Sequence, residues 1–450
     1  MLWKMAERRG GRSALISGSA YDKMIPNHTA SNGETLQERG NNMKPITAVV
    51  LGAGSRGSTY AFYAKEHPDE LQVIAVAEPR EDRRNLLAQE LGIPEENRFA
   101  SWQELLAKPR MADCAFICTL DDDHTAPALR AMELGYHLLL EKPMSNTEDE
   151  CRLIADTAER TGRNLAVCHV LRYTPFYMTL KNLIERGEIG QVAAINQIEN
   201  VGYWHQAHSF VRGNWRTVRE TSPMLLQKSC HDMDIILWLM GKDCKRVQSF
   251  GSLRHFTLDH APEGATERCL DGCPHWSTCP YYAPRLYMDM SRTGWPVDVI
   301  TTDLSEAGRR RALEEGPYGR CVYHCDNDVV DRQVVNLEFE DGAVATFTMT
   351  AFSADFSRQL KIFGTRGQIL ADMGTGEIVL HPFGEEKRLV PLDEGNRSGH
   401  GGGDFGIMAD FLQILRNGGE SRTSARVSLQ SHLICFAAER SRKEHIVVEL

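Results

Sequence analysis

The 450-residue chain has no block rich in lysine and arginine, and its formal net charge is −10. A surface that grips nucleic acid or an anionic membrane needs the opposite sign, so neither partner is expected. No apolar run approaches the roughly 20 residues of a membrane-spanning helix. The segment 14-ALISGSA-20 is too short and too polar for the core of a signal peptide. Residues 1–42, rich in Gly, Ser, Asn and Arg and without periodicity, read as a disordered leader or as an extension upstream of a natural start at Met43. A cytoplasmic location is the default. Cysteines are plentiful, twelve in all, but they lack the even framework of a small secreted scaffold. Seven are scattered singly (Cys114, Cys118, Cys151, Cys168, Cys230, Cys244, Cys435), several of them within apolar patterns where buried thiols belong. The other five fall between residues 269 and 325.

What is present is an apolar fraction of 42%, ample for a packed core, and a length that suits two domains. The segment 46-ITAVVLGAGSRGSTYAFYAKEH-67 reads as a buried strand, a glycine turn and a helix. The turn, Gly52-Ala53-Gly54-Ser55-Arg56-Gly57, is a G-x-G-x-x-G in the strand-to-helix setting that a dinucleotide fingerprint requires. Gly52 permits the tight turn, Gly54 a close approach of pyrophosphate, and Gly57 close packing of helix on strand. The helix N-terminus, from Ser55 onward, offers unpaired amides to a phosphate. The next strand, 72-QVIAVAEP-79, ends in Glu78, placed to accept the adenosine ribose hydroxyls and to repel a 2′-phosphate. NAD is therefore favoured over NADP, with Arg56 and Arg80 close enough in sequence to offset part of that repulsion.

Strands at 112–120, 136–143 and 164–170 alternate with helices at 82–92, 125–135 and 147–162. The last helix carries Thr147 as N-cap and Glu150 in capping-box register. The alternation predicts a parallel, doubly wound sheet with ligands at the carboxyl ends of its strands. Thr119, Glu141 and Lys142 stand at the ends of their strands, and His124 and Arg172 just after theirs. Lys142, before Pro143, is either a surface lysine at a turn or a partly desolvated lysine that steadies an alkoxide near the nicotinamide.

The segment 225-LLQKSCHDMDIILWL-239 reads as an amphipathic helix. Leu226, Cys230, Met233 and Leu237 form its apolar stripe, with Gln227, His231 and Asp234 on an adjoining face. His231 is either a histidine at a core edge or a proton-transfer group.

These motifs together resemble the Gfo/Idh/MocA oxidoreductases. The residues that carry the resemblance are the Gly52–Gly57 loop, Glu78, His124 ahead of 131-AMELGYHLLLEKP-143, 188-EIGQV-192, His231-Asp232-Met233-Asp234, 400-HGGGDFGIMADFL-412 and 430-QSHLICFAAERS-441. The resemblance runs from about residue 45 to the end. It implies an N-terminal Rossmann domain (43–170) and a C-terminal α/β domain (171–450) with a large, mostly antiparallel open sheet. The final segment would pack back on the first domain. Period-two alternation over 190–204, 246–256, 332–352, 359–372 and 376–383, with a hairpin turn at 340-EDGA-343, agrees with that sheet.

The resemblance also implies that Lys142 is the catalytic lysine and His231 the acid/base. It places Gly52, Gly54, Ser55, Arg56, Gly57, Glu78, Thr119, His124, Glu141 and Lys142 at the cofactor, and it implies a homodimer or homotetramer. Many relatives carry Asp four residues before the histidine, where this chain has Gln227. Gln can orient a hydroxyl but cannot relay a proton. Lys228 and Asp234 are candidate substitutes.

Arg172, Tyr203, His205, Trp215 and Gln227 are the expected substrate contacts. Aromatic faces suit a pyranose, and Asn, His and Arg suit its hydroxyls or an acidic substituent. Residues 257–330 interrupt the sheet pattern as a Cys-rich insertion with little core of its own. Cys269, Cys273, Cys279 and Cys321 are a candidate structural zinc site, with Cys325 and His275 as alternative ligands; the other readings are an iron–sulfur cluster or unpaired thiols in an irregular loop.

The expected function is NAD-dependent hydride transfer at a sugar, cyclitol or glycoside hydroxyl. The alternatives are an NAD-dependent glycosidase that works by transient oxidation, elimination, water addition and re-reduction, and a non-catalytic sugar and nucleotide sensor.

Overall fold

The computed structural model describes residues 44–392 and 398–450. The expected leader lies outside them. The described part, Pro45–Leu450, forms one compact unit built on two sheets.

The first sheet contains β1 (Ile46–Leu51), β2 (Leu71–Ala77), β3 (Arg98–Phe99), β4 (Cys114–Ile117), β5 (His137–Leu140) and β6 (Leu165–Val167). All its pairings are parallel, in the order β3-β2-β1-β4-β5-β6. Helices cover both faces, so β1 and β4 are apolar along nearly their whole length rather than alternating. The order reverses between β1 and β4, which opens a crevice at their carboxyl ends. The helix Glu148–Thr161 starts where expected, with the Thr147 hydroxyl accepting the Glu150 amide at 3.4 Å. The capping box is one-sided, because the Glu150 carboxylate is taken by the Ser145 hydroxyl.

The second sheet is formed by β7 (Val192–Asn200), β8 (Cys244–Ser252), β9 (Arg332–Phe339), β10 (Val344–Thr350), β11 (Ser357–Gly364), β12 (Gly367–Asp372), β13 (Glu377–Pro382), β14 (Arg388–Val390) and β15 (Val448–Glu449). Its order is β14-β13-β12-β11-β7-β10-β9-β8-β15, antiparallel except where β10 meets β7. The 340–343 turn joins β9 to β10, with Gly342 at φ +84°. One face of this sheet is packed, and the alternation of burial along β9 and β11 follows from that.

The helix Met224–Met240 differs from its expected form. It is buried on nearly every side, Gln227, His231 and Asp234 included, rather than amphipathic. It lies against β7 and β10 on one side and against the helix Ala425–Glu444 on another, which leaves little of it to solvent. The helix Ala425–Glu444 and the turn before it also reach the first sheet. The Val167 amide donates to the Thr423 carbonyl at 2.8 Å, and the Met144 amide to His432 Nε2 at 2.9 Å.

A buried ion network joins this helix to the second sheet. Arg358 Nε lies 2.9 Å from Asp232 and 2.6 Å from Glu199, and Lys228 Nζ lies 3.2 Å from Glu199. Gln197 donates a further bond to Asp232. Glu199 sits between the two cations without an in-line hydrogen bond to either. Asp232→Ala would leave Arg358 buried beside a single carboxylate, so we expect a loss of about 3–5 kcal/mol of stability. Denaturant titration checks this, and a change below about 1 kcal/mol would show that the network contributes no structural constraint.

The insertion departs from expectation in two ways. It has a small core of its own, in which Cys269, Ala283, Tyr287, Val297, Leu313 and Tyr318 pack together. The expected zinc site at Cys269, Cys273, Cys279 and Cys321 is not formed. Among the described residues no group of three or more His, Cys, Asp or Glu is arranged to hold a metal ion. Instead the Cys269 sulfur packs in that core and accepts the Ala283 amide at 3.4 Å, the role of a small buried hydrophobe.

Candidate functional site

The crevice at the end of β1 is lined by the glycine loop. A side chain on Gly52 would lie 2.3 Å from the Cys118 carbonyl oxygen, and one on Gly57 1.9 Å from the Gly52 carbonyl oxygen, so both positions demand glycine. Only the Arg83 guanidinium, at 3.7 Å, lies near the position a Gly54 side chain would take, which leaves backbone open for a phosphate. The helix Ser55–Ala61 starts here and directs its first amides into the same space. Glu78, at the end of β2, accepts the Ala53 amide at 2.8 Å and the Arg80 amide at 2.9 Å. It therefore braces the loop, and lone pairs remain on its carboxylate for ribose hydroxyls. These residues fit a dinucleotide.

Arg56 is engaged within the protein. It donates to Glu141 at 2.8 Å and Asp404 at 2.6 Å, and it bonds the Tyr60 hydroxyl. Glu141 is likewise enclosed, taking bonds from Arg56, Tyr60 and the Lys142 amide. Burial would raise the carboxyls of Glu141 and Asp404, but Arg56 holds both below the ordinary range. This ionic knot braces the strand end that carries Lys142. The Thr119 hydroxyl donates to the Asp123 carbonyl, and both His124 ring nitrogens lie beside main-chain carbonyls, those of Pro143 and Thr119. His124 thus ties the β4 turn to the turn after β5.

Lys142 extends from β5 toward the helix Met224–Met240. Its Nζ donates to the Gln227 carbonyl at 2.6 Å, one turn before His231. His231 is 6% exposed, and its Nδ1 is buried without a partner. Burial pushes its pKa well below the usual value, and the Lys142 charge pushes in the same direction. Its ring meets His169 edge-on at 5.6 Å and lies 6.3 Å from His400. The crevice thus holds a lysine ammonium and a neutral imidazole on neighbouring turns. Gln227 takes part through its main chain, which any residue would supply.

Of the expected substrate contacts, Trp215 is held at the turn after β4 and His205 in an aromatic cluster. Trp215 Nε1 donates to Asp121 at 3.2 Å. His205 packs among Trp204, Trp295 and Phe356. Tyr203 lies against Tyr281. Arg172 is elsewhere employed. It grips Asp234 with two 2.7 Å bonds and donates to the Arg422 carbonyl, as a buried strut rather than a sugar ligand. Asp234 is thereby removed as a substitute for the missing aspartate.

Two residues gained no role from the sequence. Asp121, 4% exposed, accepts from Trp215 and Ser222. Burial pushes its carboxyl up, against the pull of His124 and Lys142. His169 lies at the end of β6 between His231 and His432. Both follow strand ends, and the rule for ligand sites in open parallel sheets was the signal that could have found them.

The comparisons with known proteins agree with this geometry. A family model described as "Oxidoreductase family, NAD-binding Rossmann fold" matches residues 46–169, and its "C-terminal alpha/beta domain" companion matches 181–450. The chain is 25% identical over 316 residues to the putative oxidoreductase YteT of Bacillus subtilis, covering 67% of this chain and 72% of that one. It is 27% identical over 182 residues to an alpha-N-acetylgalactosaminidase of Bacteroides fragilis, covering 38% of this chain and 42% of the relative. An oxidoreductase from Agrobacterium radiobacter, solved with NAD+, L-tartaric acid and magnesium, shares the fold. Its TM-score is 0.65 at 15% identity, over 90% of this chain and 98% of that one.

Proposed function

Because this chain belongs to the Gfo/Idh/MocA oxidoreductase family, we propose that it is an NAD-dependent oxidoreductase acting on a hydroxyl-bearing carbon of a sugar, cyclitol or glycoside. The observation that carries this reading is Lys142 Nζ held on the Gln227 carbonyl, one helical turn from the neutral His231. When bound, NAD supplies the hydride acceptor. The loop amides from Gly54 onward would hold its pyrophosphate, and Glu78 its adenosine ribose. His231, neutral near pH 7, takes the proton of the substrate hydroxyl. Lys142 faces the developing alkoxide with a fixed positive charge. Trp215 and His205 border the ring of the substrate.

The outer face of the second sheet exposes Ile198, Phe250, Val344 and Leu370. Exposed apolar residues on four strands of one sheet face suit a subunit interface, and we assign the homo-oligomer contact to that face.

A second reading is favoured by the likeness to an alpha-N-acetylgalactosaminidase. Transient oxidation of a ring hydroxyl acidifies the neighbouring C–H. The aglycone is then eliminated, water adds and the ketone is reduced again, with no net NADH.

One assay separates the two. Protein as purified is denatured and released nucleotide is measured, and the native protein is given free sugars and aryl glycosides. Accumulation of NADH with a free sugar supports the first reading. Aglycone release without NADH, with solvent deuterium entering beside the oxidised carbon, supports the second. Neither signal over a broad panel would sink both and leave a sensor.

A further inference from the structure

The insertion lines a cavity of about 340 Å³ that is open to solvent on one side. Its wall joins the segment after β7 to the insertion, with Tyr203, Trp204 and Arg212 on one side and Tyr281, Arg285 and Arg292 on the other. Neither Asp nor Glu lines it. Arg212 is 2% exposed, and its partners are the main-chain carbonyls of Arg320 and Tyr281 and the Cys269 sulfur, none of them a carboxylate. Arg309, fully buried in the same insertion, is likewise held by carbonyls alone, those of Leu304, Tyr287, Asp289 and Arg292. Two guanidinium charges thus enter the interior without a neutralising acid. Such charges are costly to bury and project a field into any adjoining low-dielectric space. At the mouth, Arg285 donates only to the carbonyls of Trp276 and Ser277, and Arg292 has only an exposed 3.3 Å pair with Asp289.

An aromatic path leads from this cavity to the reaction site. Trp204 stacks on His205 and meets Phe356 at 6.4 Å. Lys228 Nζ lies 4.8 Å over the Phe356 ring, and Lys228 directly follows Gln227, whose carbonyl holds Lys142. Trp204, Phe356 and Lys228 thus form one run of contacting side chains between the wall of this cavity and the turn that anchors Lys142.

We propose that the insertion cavity is a subsite for a sugar unit bearing an anionic group, a carboxylate or a sulfate, so that the substrate is an acidic disaccharide or longer saccharide. The ring lies against Tyr203, Trp204 and Tyr281. The anion lies at Arg285 and Arg292, in the field of Arg212. This rests on the reading of the substrate as a carbohydrate, and it deepens that reading.

The test is calorimetric titration of the NAD-loaded full-length protein with disaccharides of one linkage: neutral, ending in a uronate, and 6-sulfated. At least one anionic form is expected to bind tenfold or more tighter than the neutral one, and which form does so names the source of the charge. Raising the salt should shrink the preference. Arg292→Gln, at an exposed position, and separately Arg285→Gln, should each reduce it at least threefold while NAD content and melting temperature stay unchanged. Equal binding of all three sugars, or a preference untouched in both variants, would overturn the subsite. The same titration on Lys142→Ala protein reads binding without turnover, so a failure of the proposed redox activity and a failure of the subsite are recorded separately.

Discussion

Lys142→Ala is expected to lower turnover about 10³-fold, within the range for losing a positioned acid–base or charge-stabilising group, while the protein keeps its NAD. The expectation follows from where the side chain is anchored. The nucleotide loop is bonded through the Ala53 amide to Glu78 and packs on Cys118, neither of which is bonded to Lys142 Nζ. That Nζ, by contrast, has the Gln227 carbonyl as its partner and points to the turn that carries His231. Lys142→Arg keeps the charge, but a planar guanidinium does not reproduce a point donor 2.6 Å from one carbonyl, so it should rescue little. His231→Asn should cost about 10²-fold. The double variant should cost no more than Lys142→Ala alone by more than about tenfold, because groups acting on one proton and one alkoxide are not additive. Released nucleotide and single-turnover rates measure both sides. Normal turnover in Lys142→Ala, or loss of NAD from it, removes its assigned role.

The second large effect concerns acid. Five histidines are buried in or around the site and held neutral. Burial pushes His169 down to about 4, His208 and His432 to about 3, and His205 and His231 well below the usual value. His432 shows the geometry behind this. Its Nδ1 lies 2.8 Å from the Ser428 carbonyl and its Nε2 accepts the Met144 amide, so protonation would break the second bond. These folded values lie below the unfolded value near 6.5, so between them the unfolded chain binds more protons. Stability is then fully present above about pH 6.5 and is lost as pH falls below it. Each histidine contributes roughly 1.4 kcal/mol per pH unit in that window, so the five together amount to several kcal/mol by about pH 5.5. The lowered carboxyls of Glu141 and Asp404 act only at still lower pH, near and below the ordinary carboxylate value. Denaturant midpoints at pH 7.5, 6.5 and 5.5 should show a plateau and then a fall. A flat profile across the three would contradict the neutral assignment, and His432→Gln should shallow the slope by about one proton.

Much of this protein was legible in its sequence. Local chemistry decides that Gly52 and Gly57 stand in the turn between β1 and its helix, because a tight turn and close packing exclude a side chain wherever they occur. Period-two and period-3.6 patterns place β1, the helix after Thr147 and the β9–β10 hairpin, because one covered face imposes one periodicity. The resemblance in Glu141-Lys142-Pro143 and in His231 rests on residue identity, and identity survives in a string of letters.

Only the tertiary structure decided who partners whom. Arg56, Glu141 and Arg172 have the residue types of ligand contacts, yet each is spent on an internal ion pair whose other half lies 62 to 348 residues away. The full burial of the helix Met224–Met240 arises because it is enclosed by the second sheet and the last long helix, a fact of packing that no window of its own residues contains. The cysteines of the insertion are spaced like ligands, but one of them closes a small apolar core instead. Charges and thiols are chosen by their neighbours in space. The sequence names the groups, and the fold determines which of them remain free to meet a ligand.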